Sequence, residues 1–198
     1  MRCRFPCPAQ RARISPRPVR SRPSTLTGTP TISRRVFITS ASYTTGSAGN
    51  FGSIAEADTL CQSVADGVPL GGTWKAWLSV PGTNAVSRIP YAKWVLRDNA
   101  TVVFNSTTEI SIGTSPLSPI TQTEGGAAPA GSTLVWTGTL SNGTVSSNHC
   151  TSWSTNAYSG LVSVGDWSGA VSIWTERGAP ASCGGGPPPS RHLYCFEQ

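Results

Sequence analysis

Between Ser53 and Ser79 the chain spells one helix, a glycine turn and one strand, and this unit limits what the rest can build. Ser53 followed by Glu56 is a capping box, in which two side chains satisfy orphan N–H groups at a helix start. Ala57, Leu60, Cys61 and Val64 recur at i, i+3, i+4 and i+7, so they share one apolar face. Gly67 is expected to end the helix in a left-handed conformation, and Pro69 prevents its resumption. After Gly71-Gly72, the aromatic run Thr73 to Leu78 reads as a strand. Cys61 falls in the middle of the buried face, either as a small core residue or as one end of a staple.

A chain of 198 residues allows one domain with a tail. Charged residues are only 12% of it, which suits a loop-rich β or α+β domain rather than a helical bundle. The charge is unevenly placed. Nine of the fifteen Lys and Arg residues precede Val36, and no acid occurs before Glu56. From Val36 onward six bases face nine acids, a net charge of −3. The basic character therefore belongs to the tail, and no nucleic-acid partner is expected for the folded part. Residues 1–33 read as a disordered, Pro- and Arg-rich tail, with the domain at 34–198. The tail lacks the apolar run of a secretory leader, and Cys3 and Cys7 alone are too few for a zinc site. No apolar run in the chain approaches the roughly 20 residues that span a bilayer, so no transmembrane segment is expected.

Further along, Arg35 to Thr39 reads as a first strand, and Trp94 to Leu96 and Thr101 to Phe104 as two strands around a tight turn at Asp98-Asn99. Ser106 to Ser132 reads as mostly loop. Leu134 to Thr137 is a strand, and Asn142-Gly143 a hairpin-type turn. A glycine-rich loop runs from Asn156 to Gly169, Val171 to Thr175 reads as a strand, Ala179 to Ser190 as loop, and His192 to Phe196 as the last strand.

Four cysteines fall within the domain: Cys61, Cys150, Cys183 and Cys195. An even number, widely spaced and with no C-x-x-C pair, favours disulfides over metal and an oxidising compartment over the cytoplasm. Three pairings are open on spacing alone.

Several segments resemble a known family. They are Gly52 to Ser79 with Ala57-Asp58, Cys61 and Leu70-Gly-Gly-Thr-Trp-Lys-Ala-Trp-Leu-Ser; Val135-Trp-Thr-Gly and Asn142-Gly143; Cys150-Thr-Ser-Trp153; and Cys183 with Leu193-Tyr-Cys195. Together they resemble the endostatin domain of collagens XV and XVIII. The ending Leu193 to Gln198 makes them more similar still to a bacterial endostatin-like domain of unknown function, found in leptospiral endostatin-like proteins. The resemblance covers about Arg34 to Gln198 and implies an α+β, C-type-lectin-like fold: an irregular antiparallel sheet, one or two helices and long loops. It also implies bridges Cys61–Cys195 and Cys150–Cys183. The first would close a loop spanning most of the domain, a constraint on the order of 4–5 kcal/mol in the chain-entropy model.

The chemistry of relatives does not carry over. The endostatin zinc site needs several histidines, whereas this chain has only His149 and His192, each read as structural or surface. The Glu-Pro-Asn, Gln-Pro-Asp and Trp-Asn-Asp motifs of calcium-dependent lectins are absent, and Gly165-Asp166-Trp167 is not equivalent. The basic residues Lys75, Arg88, Lys93 and Arg97 make at most a weak heparin-type patch. Gly-x-Ser-x-Gly is absent, and no acid–histidine–serine set is recognisable. No catalytic residue, metal or cofactor is expected.

Seven tryptophans are many for this length. Trp136 and Trp153 match family positions and read as core. Trp74 and Trp77 have opposite parity on one strand and point to opposite faces. Trp167 and Trp174, in or beside the second glycine-rich loop, are either packed beneath it or exposed as ligand anchors. The expected function is a secreted or cell-surface, non-catalytic module that binds extracellular proteins. The leptospiral resemblance implies adhesion to matrix proteins and capture of plasma proteins. The alternatives are a carbohydrate-binding module using Trp167 and Trp174, and an enzyme of unrecognised type.

Overall fold

The first strand, β1 (Ser33–Ile38), buries both of its faces, with Val36 and Ile38 turned one way and Phe37 the other. The computed structural model that shows this describes residues 32–46, 48–184 and 189–198. The basic tail up to Thr31, with Cys3 and Cys7, and positions 185–188 of the last long loop lie outside the described residues. In chain order there follow α1 (Ile54–Gly67), β2 (Trp74–Ala76), a 3-10 turn (Ala85–Arg88), β3 (Lys93–Leu96), β4 (Val102–Phe104) and α2 (Thr107–Ser111). Then come β5 (Leu134–Trp136), β6 (Leu161–Val162), β7 (Val164–Asp166), a second 3-10 turn (Ser172–Trp174), β8 (Ala181–Ser182) and β9 (Tyr194–Glu197).

The fold is α+β, with a five-stranded sheet in the order β2-β9-β1-β3-β4 and two small pairs, β5–β7 and β6–β8. β1 runs parallel to β3 and antiparallel to β9. A parallel pair needs a crossover, and here the crossover contains α1 and β2. Strand parity divides the buried apolar residues named below between two cores. Phe37, Trp74, Ala76 and Cys195 pack under α1 with Ala57, Cys61 and Ala65. Val36, Trp77, Trp94, Tyr194 and Phe196 pack on the other side with Phe104, Ile120 and Trp174. Trp74 and Trp77 thus serve opposite layers, as their parity requires. A sheet covered on both faces explains why its strands read as continuous apolar runs.

Each terminus of α1 differs slightly from expectation. Ser53 is the N-cap and accepts from the Glu56 N–H, but the Glu56 carboxylate reaches back to the Gly52 N–H, one residue earlier than in a standard box. Gly67 is the last helical residue, and Val68 caps it with φ −130°, so no left-handed glycine ends the helix. The positive φ angles come later, at Gly71 and Gly72, where the chain turns into β2.

Side chains seal the outer edge of β2. The amides of Trp74 and Ala76 face α1 and donate to Gln62 Oε1 and Asp58 Oδ1, each at 2.9 Å. Arg88 Nη1 donates to the carbonyls of Ala76 (2.7 Å) and Leu78 (3.2 Å), while its Nη2 donates to Asp58 at 2.6 Å. Four groups that would invite another strand are therefore used internally. Arg88→Met strips the Asp58 carboxylate of its counter-ion and removes the side-chain donor from the Ala76 and Leu78 carbonyls. It is expected to cost about 3 kcal/mol, read as a fall in Tm of roughly 6–12 °C. An unchanged Tm would mean the edge is not held by this pair.

Arg35 closes the α1 side of the sheet. It makes hydrogen bonds of 2.6 and 3.0 Å to Glu197 and lies over the Trp74 ring. Burial alone would raise the Glu197 pKa, but the hydrogen bonds from Arg35 outweigh it and hold the carboxyl below its ordinary value. A depressed carboxylate contributes stability above its unfolded pKa of about 4.3 and loses it as the pH falls through the folded value. Glu197→Gln is therefore expected to flatten the acid limb of a Tm-versus-pH curve below about pH 4. A limb of unchanged slope would assign the acid loss to other carboxylates.

Asp98 accepts from the Thr101 hydroxyl and from the amides of Thr101 and Ala100, which hold its carboxyl well below the usual range and fix the β3–β4 turn. Several expected elements are different: β6 and β7 lie inside the loop expected from Asn156 to Gly169, and β8 inside the one expected from Ala179 to Ser190. Ser106 caps the short helix α2 inside the expected loop, and the expected strand Val171 to Thr175 is a 3-10 turn.

Candidate binding loops

Past the end of β1 three irregular segments converge at one end of the sheet, described at residues 39–46 and 48–53, at 146–160, and at 181–184 and 189–192. A Tyr43–Arg191 bridge joins the first to the third through backbone bonds of 2.8 and 3.0 Å. The first and second meet where the Trp153 carbonyl accepts from the Gly46 amide (3.0 Å) and the Thr45 hydroxyl (2.8 Å). Gly184 lies so close to the Asn156 carbonyl that a Cβ would sit 1.5 Å from its oxygen. Only glycine fits there, and this contact locks the second segment to the third.

The second segment carries unusual backbone. Cys150, Thr151, Ser152 and Trp153 all have positive φ, between 50° and 74°. L-residues resist this conformation by about 1–2 kcal/mol each, so the surroundings must impose it. Four restraints do so. Cys150 is bridged to Cys183. Trp153 is buried, and its indole N–H donates to the Ser79 carbonyl at 3.1 Å. The Ser152 amide donates to His149 Nδ1 at 2.8 Å, and the Trp153 amide donates to the His149 carbonyl at 3.0 Å.

This frame presents Tyr158. Its carbonyl accepts from the Ser182 hydroxyl at 2.7 Å, and the Gly160 carbonyl two residues on accepts from the Cys183 amide at 2.8 Å. The backbone is tied down on both sides of the ring, yet Tyr158 is 78% exposed. Leu161 beside it is half exposed. Nearby, a cavity of about 260 Å³ is lined by Gly46, Asn50, Phe51, Ser53, Glu56 and Ser154 among others. Beneath the loops the Arg191 guanidinium lies 4.0 Å from the Trp136 ring.

A family model described as a protein of unknown function, DUF1554, matches residues 44–172, well over half of the chain. The chain belongs to the DUF1554 family. A comparison with curated proteins finds no match. The DUF1554 match takes in α1, the left-handed turn, Tyr158 and one cysteine of each bridge, Cys61 and Cys150. β1, β9, Arg191 and the partner cysteines lie outside the matched segment.

The structure pairs Cys61 with Cys195 and Cys150 with Cys183, as the resemblance implied. It corrects the tryptophan anchors. Trp174 is fully buried, ringed by Trp77, Phe104, Tyr194 and Phe196 at centroid distances of 5.2–6.5 Å. It cannot be a surface anchor, because the 3-10 turn directs it into the core. Trp167 is half-buried against the same core, and its indole N–H donates to the Ser132 carbonyl at 3.0 Å. Neither ring belongs to the loop end that displays Tyr158.

Both histidines serve hydrogen bonds. His192 is buried with Nδ1 2.7 Å from the Thr39 carbonyl, so that nitrogen carries the proton. Of the cations read as a weak patch, Arg88 is committed to Asp58. Among the described residues no group of three or more His, Cys, Asp or Glu could hold a metal ion, and no helix is long and apolar enough to cross a membrane. Tyr158 and Arg191 were not singled out from the sequence. The only signal for Tyr158 was an aromatic residue among Asn, Ser and Gly between two bridged cysteines.

Proposed function

We propose that this DUF1554 chain is a secreted or cell-surface, non-catalytic binding module with an endostatin-like, C-type-lectin-like fold, and that its loop end grips an extracellular protein. Matrix and plasma proteins are the partners to which the endostatin-like resemblance points. One observation carries the reading: a 78% exposed tyrosine on a turn held by a disulfide and backbone hydrogen bonds. A rigid aromatic anchor offers a large contact area and loses little entropy on docking. Its surroundings, rich in Ser, Thr, Asn and Gly, have the composition of adaptable binding loops. Two buried disulfides favour an oxidising compartment.

The glycan-binding alternative is weaker, because its anchor pair loses Trp174 to the core and Trp167 is half-buried. Tyr158→Ala is expected to weaken binding of the protein partner at least about tenfold, the loss of a central aromatic anchor, with Tm unchanged within about 2 °C. Affinity that survives the substitution would place the interface elsewhere.

A further inference from the structure

We propose that the Cys150–Cys183 bridge is a redox switch at the loop end. A dithiol reductant opens it while Cys61–Cys195 stays closed, and the left-handed turn then relaxes and releases the Tyr158 loop. The switch goes beyond the binding reading, since it needs no partner to operate.

The backbone of the turn carries this inference. Cys150, Thr151, Ser152 and Trp153 are four consecutive non-glycine residues in the left-handed region. Such a run persists only where its surroundings over-determine it, and runs of this kind gather at switch regions. Thr151 is the most resistant of the four, because a β-branched residue at positive φ is a genuine outlier. Among the restraints on the turn the bridge is the covalent one, and it grips the first residue of the run. Opening it lets the turn relax. That relaxation favours the dithiol form and makes the bridge easier to reduce. Cys61–Cys195 has no such reservoir. It joins two regular elements, α1 and β9, and neither of its cysteines has a positive φ.

The two bridges also differ in their cover. Cys61 and Cys195 are fully buried, in one cluster with Phe37, Ala65 and Trp74. Cys150 and Cys183 are buried too, but the cover over Cys183 is a half-exposed glycine: a Cβ on Gly160 would lie 3.1 Å from the Cys183 Sγ. Exposed Ser159 and Leu161 flank that glycine, and exposed Thr151 and Ser152 follow Cys150 directly. A local displacement of this turn, with the helix and the five-stranded sheet in place, brings a thiolate to the sulfur. One thiolate of the dithiol attacks Cys183 Sγ, forming a mixed disulfide and expelling Cys150 as a thiolate that takes up a proton. The second thiolate attacks the reductant's own sulfur in the mixed disulfide and expels Cys183 in the same way. Two electrons and two protons pass to the chain, and the reductant leaves as a cyclic disulfide. The bonds that fix Tyr158 lie beside this bridge, from the Cys183 amide to the Gly160 carbonyl and from the Ser182 hydroxyl to the Tyr158 carbonyl.

The test titrates the full oxidised chain with dithiothreitol against its oxidised form, traps thiols by alkylation and maps the peptides, with Cys3 and Cys7 counted apart. Cys150 and Cys183 are expected to be half labelled at a reduced-to-oxidised ratio at least about tenfold below that for Cys61 and Cys195. Within that window the amide resonances of β1, β3 and β9 should hold while those from Thr151 to Gly160 move. Thr151→Gly, which relieves the strain at one position, should raise the ratio for Cys150–Cys183 about threefold or more. Bridges that open together, or Cys61–Cys195 opening first, overturn the proposal, as does a Cys150–Cys183 bridge that opens without moving the loop resonances. An unchanged ratio in Thr151→Gly overturns strain as the cause, and if that variant does not fold the wild-type titration decides alone. These readouts require no binding partner. A failed titration therefore leaves the binding reading standing, and a partner never found leaves the switch standing.

Discussion

Cys61→Ala/Cys195→Ala should unfold well before the wild type, with a loss of about 5 kcal/mol for a loop of this size and a fall in Tm of roughly 10–20 °C. The bridge closes a separation of 134 residues, and both of its cysteines are fully buried. It joins α1 to the second strand of the sheet, so its loss frees most of the domain in the unfolded chain. The second bridge spans 33 residues and by the same argument is worth about 4 kcal/mol. The two double variants should also fail differently. Removing Cys150–Cys183 releases the left-handed turn and the Tyr158 loop, so binding should weaken at temperatures where the sheet remains folded. Thermal melts of both variants against reduced wild type check the ranking. A larger loss from the second bridge would contradict it.

Trp174→Ala should destabilise by about 4 kcal/mol, typical of removing a fully buried indole, and lower Tm by roughly 8–16 °C. Four aromatic rings pack around this side chain. Trp174→Phe should cost far less, because the Trp174 Nε1 is buried without a partner and its removal leaves nothing unsatisfied. Trp167→Ala, at a half-buried site with one hydrogen bond to Ser132, should cost about 1 kcal/mol. Chemical denaturation of the three variants separates these outcomes. Wild-type stability for Trp174→Ala, combined with lost binding, would restore Trp174 as a ligand contact and refute its place in the core.

The parts of the fold legible in the sequence are those set by local physics. Ser53, Glu56 and the apolar spacing from Ala57 to Val64 place α1 within a residue or two, and strand parity separates Trp74 from Trp77. The same Ser-x-x-Glu signature recurs at Ser106 and Glu109 and caps α2 in the same way. It reads as loop because a five-residue helix that buries Thr107 and Ile110 has too few turns to show a period. The segment 171–175 fails for another reason. Its β-rich composition favours a strand, but tertiary contact through Trp174 winds it into a turn, with the Trp174 amide donating to the Val171 carbonyl. The candidate site was least legible. Nothing local shows that Tyr158 stays in solvent while Trp174 is buried, since both sit in loops of similar composition.

The most direct measurement is a binding screen of the oxidised full chain over matrix proteins, plasma proteins and polysaccharides at physiological salt, with Tyr158→Ala run beside it. Physiological salt suppresses contacts made only by the basic tail. Saturable binding to a protein, lost in the folded Tyr158→Ala variant, is the predicted result. Binding to polysaccharide alone, or no binding by a chain shown to be folded and bridged, would contradict the account.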